Sequence, residues 1–162
     1  MVGVEELSSE TLPVWLAPHT HTPIDGVITV PGSKSITNRA FILAALADGP
    51  SAIVGALRSR DTNLMLAALK SIGVGVRDQG SEIHIEPRPL RGGTINCGLA
   101  GTVMRFVPPV AAIATGTVFF DGDPQARTRP MSTMLDALRD LGIQVQGDAL
   151  PFIIDGVGTP TG

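Results

Sequence analysis

The sequence has one cysteine, few charges and no long apolar run, and each shortage excludes a class of protein. With Cys97 alone among 162 residues, no disulfide can form within the chain. Twelve basic against 15 acidic residues give a net charge of −3, which excludes a broad nucleic-acid surface. No run reaches the ~20 apolar residues that cross a bilayer, and the three histidines lack zinc-site spacing. The 43% hydrophobic content is enough for the core of one domain.

The most informative stretch is the turn between a predicted strand, 26–30, and a predicted helix, 35–47. The strand is a β-branched run, and the helix is apolar nearly all round, which predicts burial on most sides. Lys34 and Ser35 fall at the start of this helix, and Arg39 follows one turn later. Free backbone N–H groups and the positive end of the helix dipole add to their charge. The turn is therefore predicted to bind a phosphate or carboxylate.

The chain also repeats itself. The pattern Leu-x-Ala-Leu-x-x-Ile-Gly-Val-x-Val of residues 66–76 recurs, with conservative exchanges, in residues 135–145, an offset of 69. The strand that ends at Val30 has a counterpart that ends at Cys97, an offset of 67. Such self-similarity predicts two copies of one supersecondary unit.

Each copy is predicted to run strand, helix, strand, helix, strand, strand. The second helix of each copy should end at a glycine, Gly73 and Gly142, because glycine readily adopts the left-handed C-cap conformation. Asp61 is predicted to cap the second helix. The predicted elements are 26–30, 35–47, 51–56, 62–72, 74–77 and 82–86 in the first copy, and 93–97, 101–114, 117–121, 130–141, 143–146 and 151–155 in the second.

A repeated unit predicts a repeated anion-binding junction. In the second copy Gly101 falls at the offset of Lys34 and leaves the backbone bare, while Thr102 is placed to cap the helix. Arg105 and, in the loop 122–131, Arg127 and Arg129 add positive charge. The alternative is that the charged residues at these two junctions and in the loop are ordinary solvated side chains.

Residues 31–40, Pro-Gly-Ser-Lys-Ser-Ile-Thr-Asn-Arg-Ala, resemble the signature Pro-Gly-Ser-Lys-Ser-x-x-Asn-Arg-Ala of the enolpyruvyl transferase family. Residues 99–105 are similar to the family pattern Asn-Ala-Gly-Thr-x-x-Arg, with Leu99 in place of the asparagine. The loop 122–131 resembles the family's Gly-[Asp/Glu]-x-x-x-x-x-Arg-Pro-[Ile/Met] segment. A P-loop is disfavoured, since the stretch lacks the Gly-Lys pair and the earlier glycine.

The resemblance implies an α/β fold of two lobes, each an inside-out α/β barrel of three βαβαββ units, with the active site between the lobes. The chain then holds an N-terminal lead, 1–22, whose Trp15 region belongs with the second lobe. The partial first lobe, 23–162, carries two of the three units, 26–86 and 93–155. The chain is expected to be a fragment.

The resemblance further implies transfer of the enolpyruvyl group of phosphoenolpyruvate to the 5-hydroxyl of shikimate 3-phosphate. It implies a cytoplasmic enzyme, monomeric at full length, that needs no metal or organic cofactor. Lys34 would bridge both substrates, Ser35 and Arg39 would hold shikimate 3-phosphate, and Gly101 and Arg129 would hold phosphoenolpyruvate. Thr102, Arg105 and Arg127 are secondary candidates. The acid–base residues would lie in the second lobe, so the fragment alone is expected to be inactive.

Two alternatives remain open at this point. One is the branch of the family that acts on a UDP-linked N-acetylglucosamine, disfavoured because Ser35 stands where that branch usually has asparagine. The other is an anion-binding module without catalytic activity. Cys97 lies in a predicted strand and is interpreted as a packed residue rather than a nucleophile.

Overall fold

The computed structural model describes residues 15–80 and 82–158, which fall into two compact units, 15–30 and 31–158. Residues 15–30 contain no helix or strand, and Val27 is fully exposed. The strand predicted over 26–30 is therefore wrong. A β-branched run forms a strand only where a neighbour completes its backbone hydrogen bonds, and no described ladder includes these residues. Trp15 and Leu16 are also exposed, and residues 1–14 of the predicted lead lie outside the described residues.

The unit 31–158 holds the predicted copies 26–86 and 93–155 except for residues 26–30. As the structure bounds them, they are here called the first repeat (31–86) and the second repeat (91–157). The first repeat has two helices and three strands, in the predicted order after its missing first strand. Its elements are α1 (Lys34–Ala45), β1 (Ser51–Val54), α2 (Arg60–Ser71), β2 (Gly75–Asp78) and β3 (Glu82–Glu86).

The second repeat contains the predicted first strand and one short helix that was not predicted. This helix starts with a proline, which suits the first helical position because its missing N–H would have no partner there. The elements are β4 (Arg91–Asn96), α3 (Gly101–Ala112), β5 (Thr115–Asp121), α4 (Pro124–Arg127), α5 (Ser132–Asp140), β6 (Gln144–Gln146) and β7 (Phe152–Val157).

The strand pairings of the two sheets agree. The first sheet has the order β1-β3-β2 and the second β4-β5-β7-β6. In both, the last strand of the repeat lies in the middle and pairs antiparallel with its two neighbours. The second sheet adds β4, parallel to β5, at the edge where the first sheet has no strand. The mixed α/β class is confirmed.

The helix ends that were predicted from the repeat are also confirmed. Gly73 has φ +107° and donates its N–H to the Lys70 carbonyl, while Val74 donates to Leu69. Gly142, with φ +82°, and Ile143 make the same two bonds to Arg139 and Leu138. Both ends are Schellman motifs, which need a left-handed residue at the position that glycine occupies.

Helices α1, α2 and α3 contact one another, with α1 against the first sheet, α3 against the second and α2 against both, through β2 and β4. The core lies between these layers, and in the second sheet Phe120 and Phe152 stack with ring centroids 4.7 Å apart. No helix in the described ranges has the length and apolar character needed to cross a bilayer.

Helix α1 is less buried than its apolar sequence predicts. Phe41, Ala44 and Ala45 face the core, but Leu43 is 71% exposed and Leu46 45% exposed. The prediction of burial on most sides is therefore wrong, because the helix has core on one side only. Its outer side lines a groove shared with α3.

Candidate anion-binding site

The N-terminus of α1 presents its cations to solvent much as predicted. Ser33 is the N-cap, and its hydroxyl accepts a hydrogen bond from the Ile36 N–H at 3.4 Å. No acidic residue lies in the first turn, so its positive pole is not neutralised within the helix. The Ser35 side chain makes no hydrogen bond to any described residue. Its hydroxyl is available to a ligand.

Lys34 is half-exposed, and its ammonium lies 2.8 Å from the Asp61 carboxylate on α2. The prediction that Asp61 caps α2 is wrong. Ser59 caps that helix, in a capping box with Thr62, because its extended backbone lets the hydroxyl reach the Thr62 N–H. Asp61 sits inside the first turn instead, where its side chain projects towards α1.

The N-terminus of α3 offers backbone rather than side chains. Its N-cap, Ala100, supplies no side-chain hydrogen bond. A Cβ built on Gly101 would lie 3.0 Å from an Arg105 Nη and 3.6 Å from an Arg129 Nη. The structure therefore brings together three predicted residues, with the tips of Arg105 and Arg129 against the bare backbone of Gly101.

Arg129 is held in place by one of its five donors. Its Nη1 donates to the Leu99 carbonyl at 2.8 Å, just before α3, and the side chain is half-buried. A guanidinium anchored on one edge keeps its other N–H groups for a ligand.

A buried amide joins the N-termini of α1 and α3. Asn38 is fully buried, and its Nδ2 donates to the Thr102 hydroxyl at 2.6 Å, while its Oδ1 has no partner in the described structure. The prediction that Thr102 caps α3 is wrong, because the residue lies inside the helix and its hydroxyl is engaged by Asn38. No local sequence signal singled out this contact, because Asn38 lies in the polar first half of α1 beside Thr37 and Arg39.

Arg39 lies apart from Arg129, on the groove between α1 and α3. Its guanidinium carbon is 5.4 Å from the centre of the Phe106 ring, within the range of a cation–π contact. Arg39 and Arg105 border a cavity of about 420 Å³ whose other lining residues are apolar: Ile42, Leu43, Leu46, Phe106, Pro109, Val110 and Ile113.

The Arg127 guanidinium is bound by the carboxylate of Asp121, the last residue of β5. Its Nε and Nη2 donate to the two oxygens of Asp121 at 3.0 and 2.8 Å. This contact, with the Gly122 N–H, holds the pKa of Asp121 below its ordinary value. The same loop is tied to α2 by Asp123, which lies 2.6 Å from Arg60.

The candidate anion-binding site, at the N-termini of α1 and α3 and the loop 122–131, contains several cations, and the carboxylates next to it are ion-paired. Asp61, Asp121 and Asp123, the carboxylates beside it, each lie in an ion pair. Burial raises the pKa of the Cys97 thiol to about 12, so it is not a nucleophile at neutral pH. Within 15–80 and 82–158 no group of acids, histidines and cysteine is placed to hold a metal ion.

An α/β fold that gathers cations at two helix N-termini is the architecture expected of a protein that binds small anions. Within that class, a sequence model described as EPSP synthase (3-phosphoshikimate 1-carboxyvinyltransferase) matches residues 18–160, and the chain belongs to that family. The resemblance to the enolpyruvyl transferases is thus confirmed.

Solved structures agree with this family. The chain is similar to EPSP synthase from Acinetobacter baumannii, with a TM-score of 0.77 and 27% identity over 85% of the chain. A second structure of EPSP synthase from the same organism, at 2.37 Å, matches with the same values. In each comparison the match spans 33% of the other chain, so this chain covers about a third of the length of these relatives.

Proposed function

We propose that this chain is part of an enzyme that transfers the enolpyruvyl group of phosphoenolpyruvate to the 5-hydroxyl of shikimate 3-phosphate and releases phosphate. The observation that supports it most is that Asn38 joins two helix N-termini, one of which carries Lys34 and the other Gly101 with Arg105 and Arg129 beside it. Both substrates carry several negative charges, so two neighbouring anion subsites match their chemistry.

Gly101 and Arg129 form the subsite for phosphoenolpyruvate. The glycine lets an oxyanion reach the backbone N–H groups at the start of α3, and the anchored Nη1 of Arg129 lies beside the same backbone, with the other N–H groups of the guanidinium unpaired in the described structure. Arg105, whose Nη is next to the Cβ position of Gly101, borders the same space.

Ser35 and Arg39 form the subsite for shikimate 3-phosphate, on α1. Lys34 lies at the start of this helix and serves both substrates. Its contact with Asp61 is a half-exposed ion pair, worth about 0–1 kcal/mol, which a phosphate dianion can replace. Thr102 does not bind substrate directly, since its hydroxyl accepts a hydrogen bond from Asn38. It helps to hold the N-termini of α1 and α3 together.

These residues contribute to the rate by holding two like-charged molecules together and by stabilising charge as it develops. They supply no general acid or base, because the three neighbouring carboxylates are ion-paired. We therefore expect the 162 residues alone to bind anions weakly and to give no turnover. Phosphate release by purified chain, free of host enzyme, would contradict this.

The decisive experiment is separate titration of phosphoenolpyruvate, shikimate 3-phosphate and a UDP-linked N-acetylglucosamine into the full-length polypeptide. Arg129→Ala should weaken phosphoenolpyruvate, Arg39→Ala should weaken shikimate 3-phosphate, and Lys34→Ala should weaken both. Loss of one charge-assisted hydrogen bond costs about 1.5–3 kcal/mol, roughly one to two decades in affinity.

Arg127→Ala is the matched control, since this arginine belongs to the same loop but is bound to Asp121. It should leave both affinities within about twofold. If all three variants lost affinity for both substrates equally, the cations would form one diffuse positive cleft and not two distinct subsites. Tight binding of the sugar nucleotide would assign the chain to the other branch of the family.

A further inference from the structure

A second cavity, of about 690 Å³ and lined largely by polar residues, lies at the end of α2 opposite to the candidate anion-binding site. Asp61, which contacts Lys34, is in the first turn of α2, and Lys70, which lines the cavity, is in the last. At 1.5 Å per residue the two positions are about 14 Å apart along the axis. The cavity is therefore separate from the site described above.

Its lining is strongly cationic. Four permanent cations face a single carboxylate, a local charge of +3 in a chain whose net charge is −3. His84 also lines the cavity; on the sheet it lies directly opposite Arg77, and its Nε2 is 3.2 Å from the Glu82 carboxylate. The charged residues are Lys70, Arg77, Arg88, Arg91 and Glu86.

Most of this charge is not neutralised. Glu86 is taken by Arg88, at 2.7 Å, whereas Lys70, Arg77 and Arg91 make no ion pair with any described residue. The Arg58 guanidinium binds the Asp78 carboxylate and holds the pKa of Asp78 below its ordinary value, and Lys70 lowers it further from a greater distance. Three cations thus border the cavity without a counter-charge.

Two glycines, Gly73 and Gly75, let the side chains that line the cavity pack directly against the backbone. A Cβ on Gly73 would lie 3.4 Å from Cγ of Arg91 and 3.1 Å from the Pro89 carbonyl oxygen. A Cβ on Gly75 would lie 3.0 Å from Cβ of Glu86 and 3.1 Å from Cζ of Arg88. The two arginine side chains therefore rest against bare backbone.

In the second repeat, the residue equivalent to Lys70 is a cation that two carboxylates neutralise. Arg139 stands at the position of Lys70, 69 residues on, and contacts Asp136 at 2.6 Å and Asp148 at 3.0 Å. It also donates to the Gly147 carbonyl at 2.6 Å. The excess charge is therefore particular to the first repeat and not a requirement of the fold.

We propose that the cavity bordered by Lys70, Arg77 and Arg91 binds a small oxyanion with two or more negative charges, a phosphate ester or a polycarboxylate. Guanidinium groups bind both oxyanions through paired N–H donors, and a bound anion removes the mutual repulsion of the three cations. The volume lies within the usual range for small-molecule sites. Occupation of this site is independent of the proposed transferase reaction.

The test is an NMR titration of the 162-residue chain with pyrophosphate, and in a second arm with citrate, against sodium chloride at equal ionic strength. The backbone amides of 73–77 and 86–91 should shift with saturation. Arg77→Gln and Arg91→Gln should each weaken binding roughly tenfold. The stronger of the two ligands identifies the phosphate or the carboxylate class.

Arg139→Gln is the control for the equivalent position of the second repeat, and Arg129→Gln is the control for the candidate anion-binding site. Both should leave the shifts of 73–77 and 86–91, and the ligand concentration at which these saturate, as in the wild type. Unchanged affinity in Arg77→Gln and Arg91→Gln, or shifts confined to 33–39 and 98–105, would overturn the proposal. So would shifts that sodium chloride reproduces. If Arg91→Gln fails to fold, Arg77→Gln decides alone, since Arg77 is exposed on its strand.

Discussion

The two repeats share their strand order and helix ends but prepare their first helices for anions in different ways. In the first repeat, α1 is capped by Ser33 and presents an ammonium and a hydroxyl. In the second, α3 has no side-chain cap and presents bare backbone at Gly101, with arginines beside it. The duplicated unit thus presents two kinds of helix N-terminus, one with polar side chains and one with bare backbone.

The repeats differ again in their first strand. Cys97, just past the end of β4, is buried, whereas its counterpart Val30 is 75% exposed. The ladder between β4 and β5 accounts for the burial on one side, and the first sheet has no equivalent. Paired substitutions in the two repeats test how far this difference extends.

The largest difference should appear in thiol reactivity. Burial raises the pKa of Cys97 from 9.0 to about 12, which lowers the thiolate population, and with it the labelling rate, by roughly 10³. In Val30→Cys, one thiol should react with a disulfide reagent at the rate of a free cysteine and one should react slowly. Two slow thiols would mean that residues 26–30 are as well protected as β4.

The next effect concerns stability. A Cβ on Gly93 in β4 would lie 2.5 Å from the Ser71 carbonyl oxygen at the end of α2. Gly93→Ala should therefore lower the free energy of unfolding by about 1–3 kcal/mol. Its counterpart 67 residues earlier, Gly26, has no atom within 4 Å of such a Cβ. Gly26→Ala should be neutral in urea unfolding, and an equal loss in both variants would remove the distinction.

The link between the repeats should contribute somewhat less. Asn38→Ala removes the buried hydrogen bond to Thr102 and should cost about 1–2 kcal/mol in urea unfolding. Asn63→Ala, on the exposed side of α2, is the control and should change stability little. If both variants unfold alike, the amide does not hold the two helices together.

The smallest effect is a pH dependence at the Asp121–Arg127 pair. Because the folded pKa of Asp121 is lowered, its stabilisation is present above the ordinary value of 3.8 and is lost as pH falls through the lowered one. The stability difference between wild type and Arg127→Gln should be constant near neutrality and should shrink in acid. A difference that grows below pH 3.8 would contradict this assignment.

Much of the fold could be predicted from periodicity and glycine positions, because both are local. The ends of α2 and α5 at Gly73 and Gly142 follow from the left-handed conformation that a Schellman motif needs. The predicted strand over 26–30 failed for a non-local reason, since its β-branched residues need a partner strand that the sequence does not reveal. The short α4 was missed because one helical turn has no periodicity to detect.

The candidate site was predictable as a set of charges but not as a set of contacts. The motifs identified Lys34, Gly101 and Arg129, whereas the pairing of Asp61 with Lys34 and of Asn38 with Thr102 depends on how helices pack. Such contacts join residues far apart in sequence. They were beyond local patterns and capping rules.

The edge strand β1 has no charge or proline to protect it from pairing with another chain. One side of β1 pairs with β3, and no described strand covers the other side. Its sequence, Ser-Ala-Ile-Val, has neither the charge nor the proline that usually protects an edge, and Val54 is 71% exposed. Free backbone groups beside exposed apolar side chains recruit extended segments from other molecules. In crowded solution this strand is where self-association of the chain would begin.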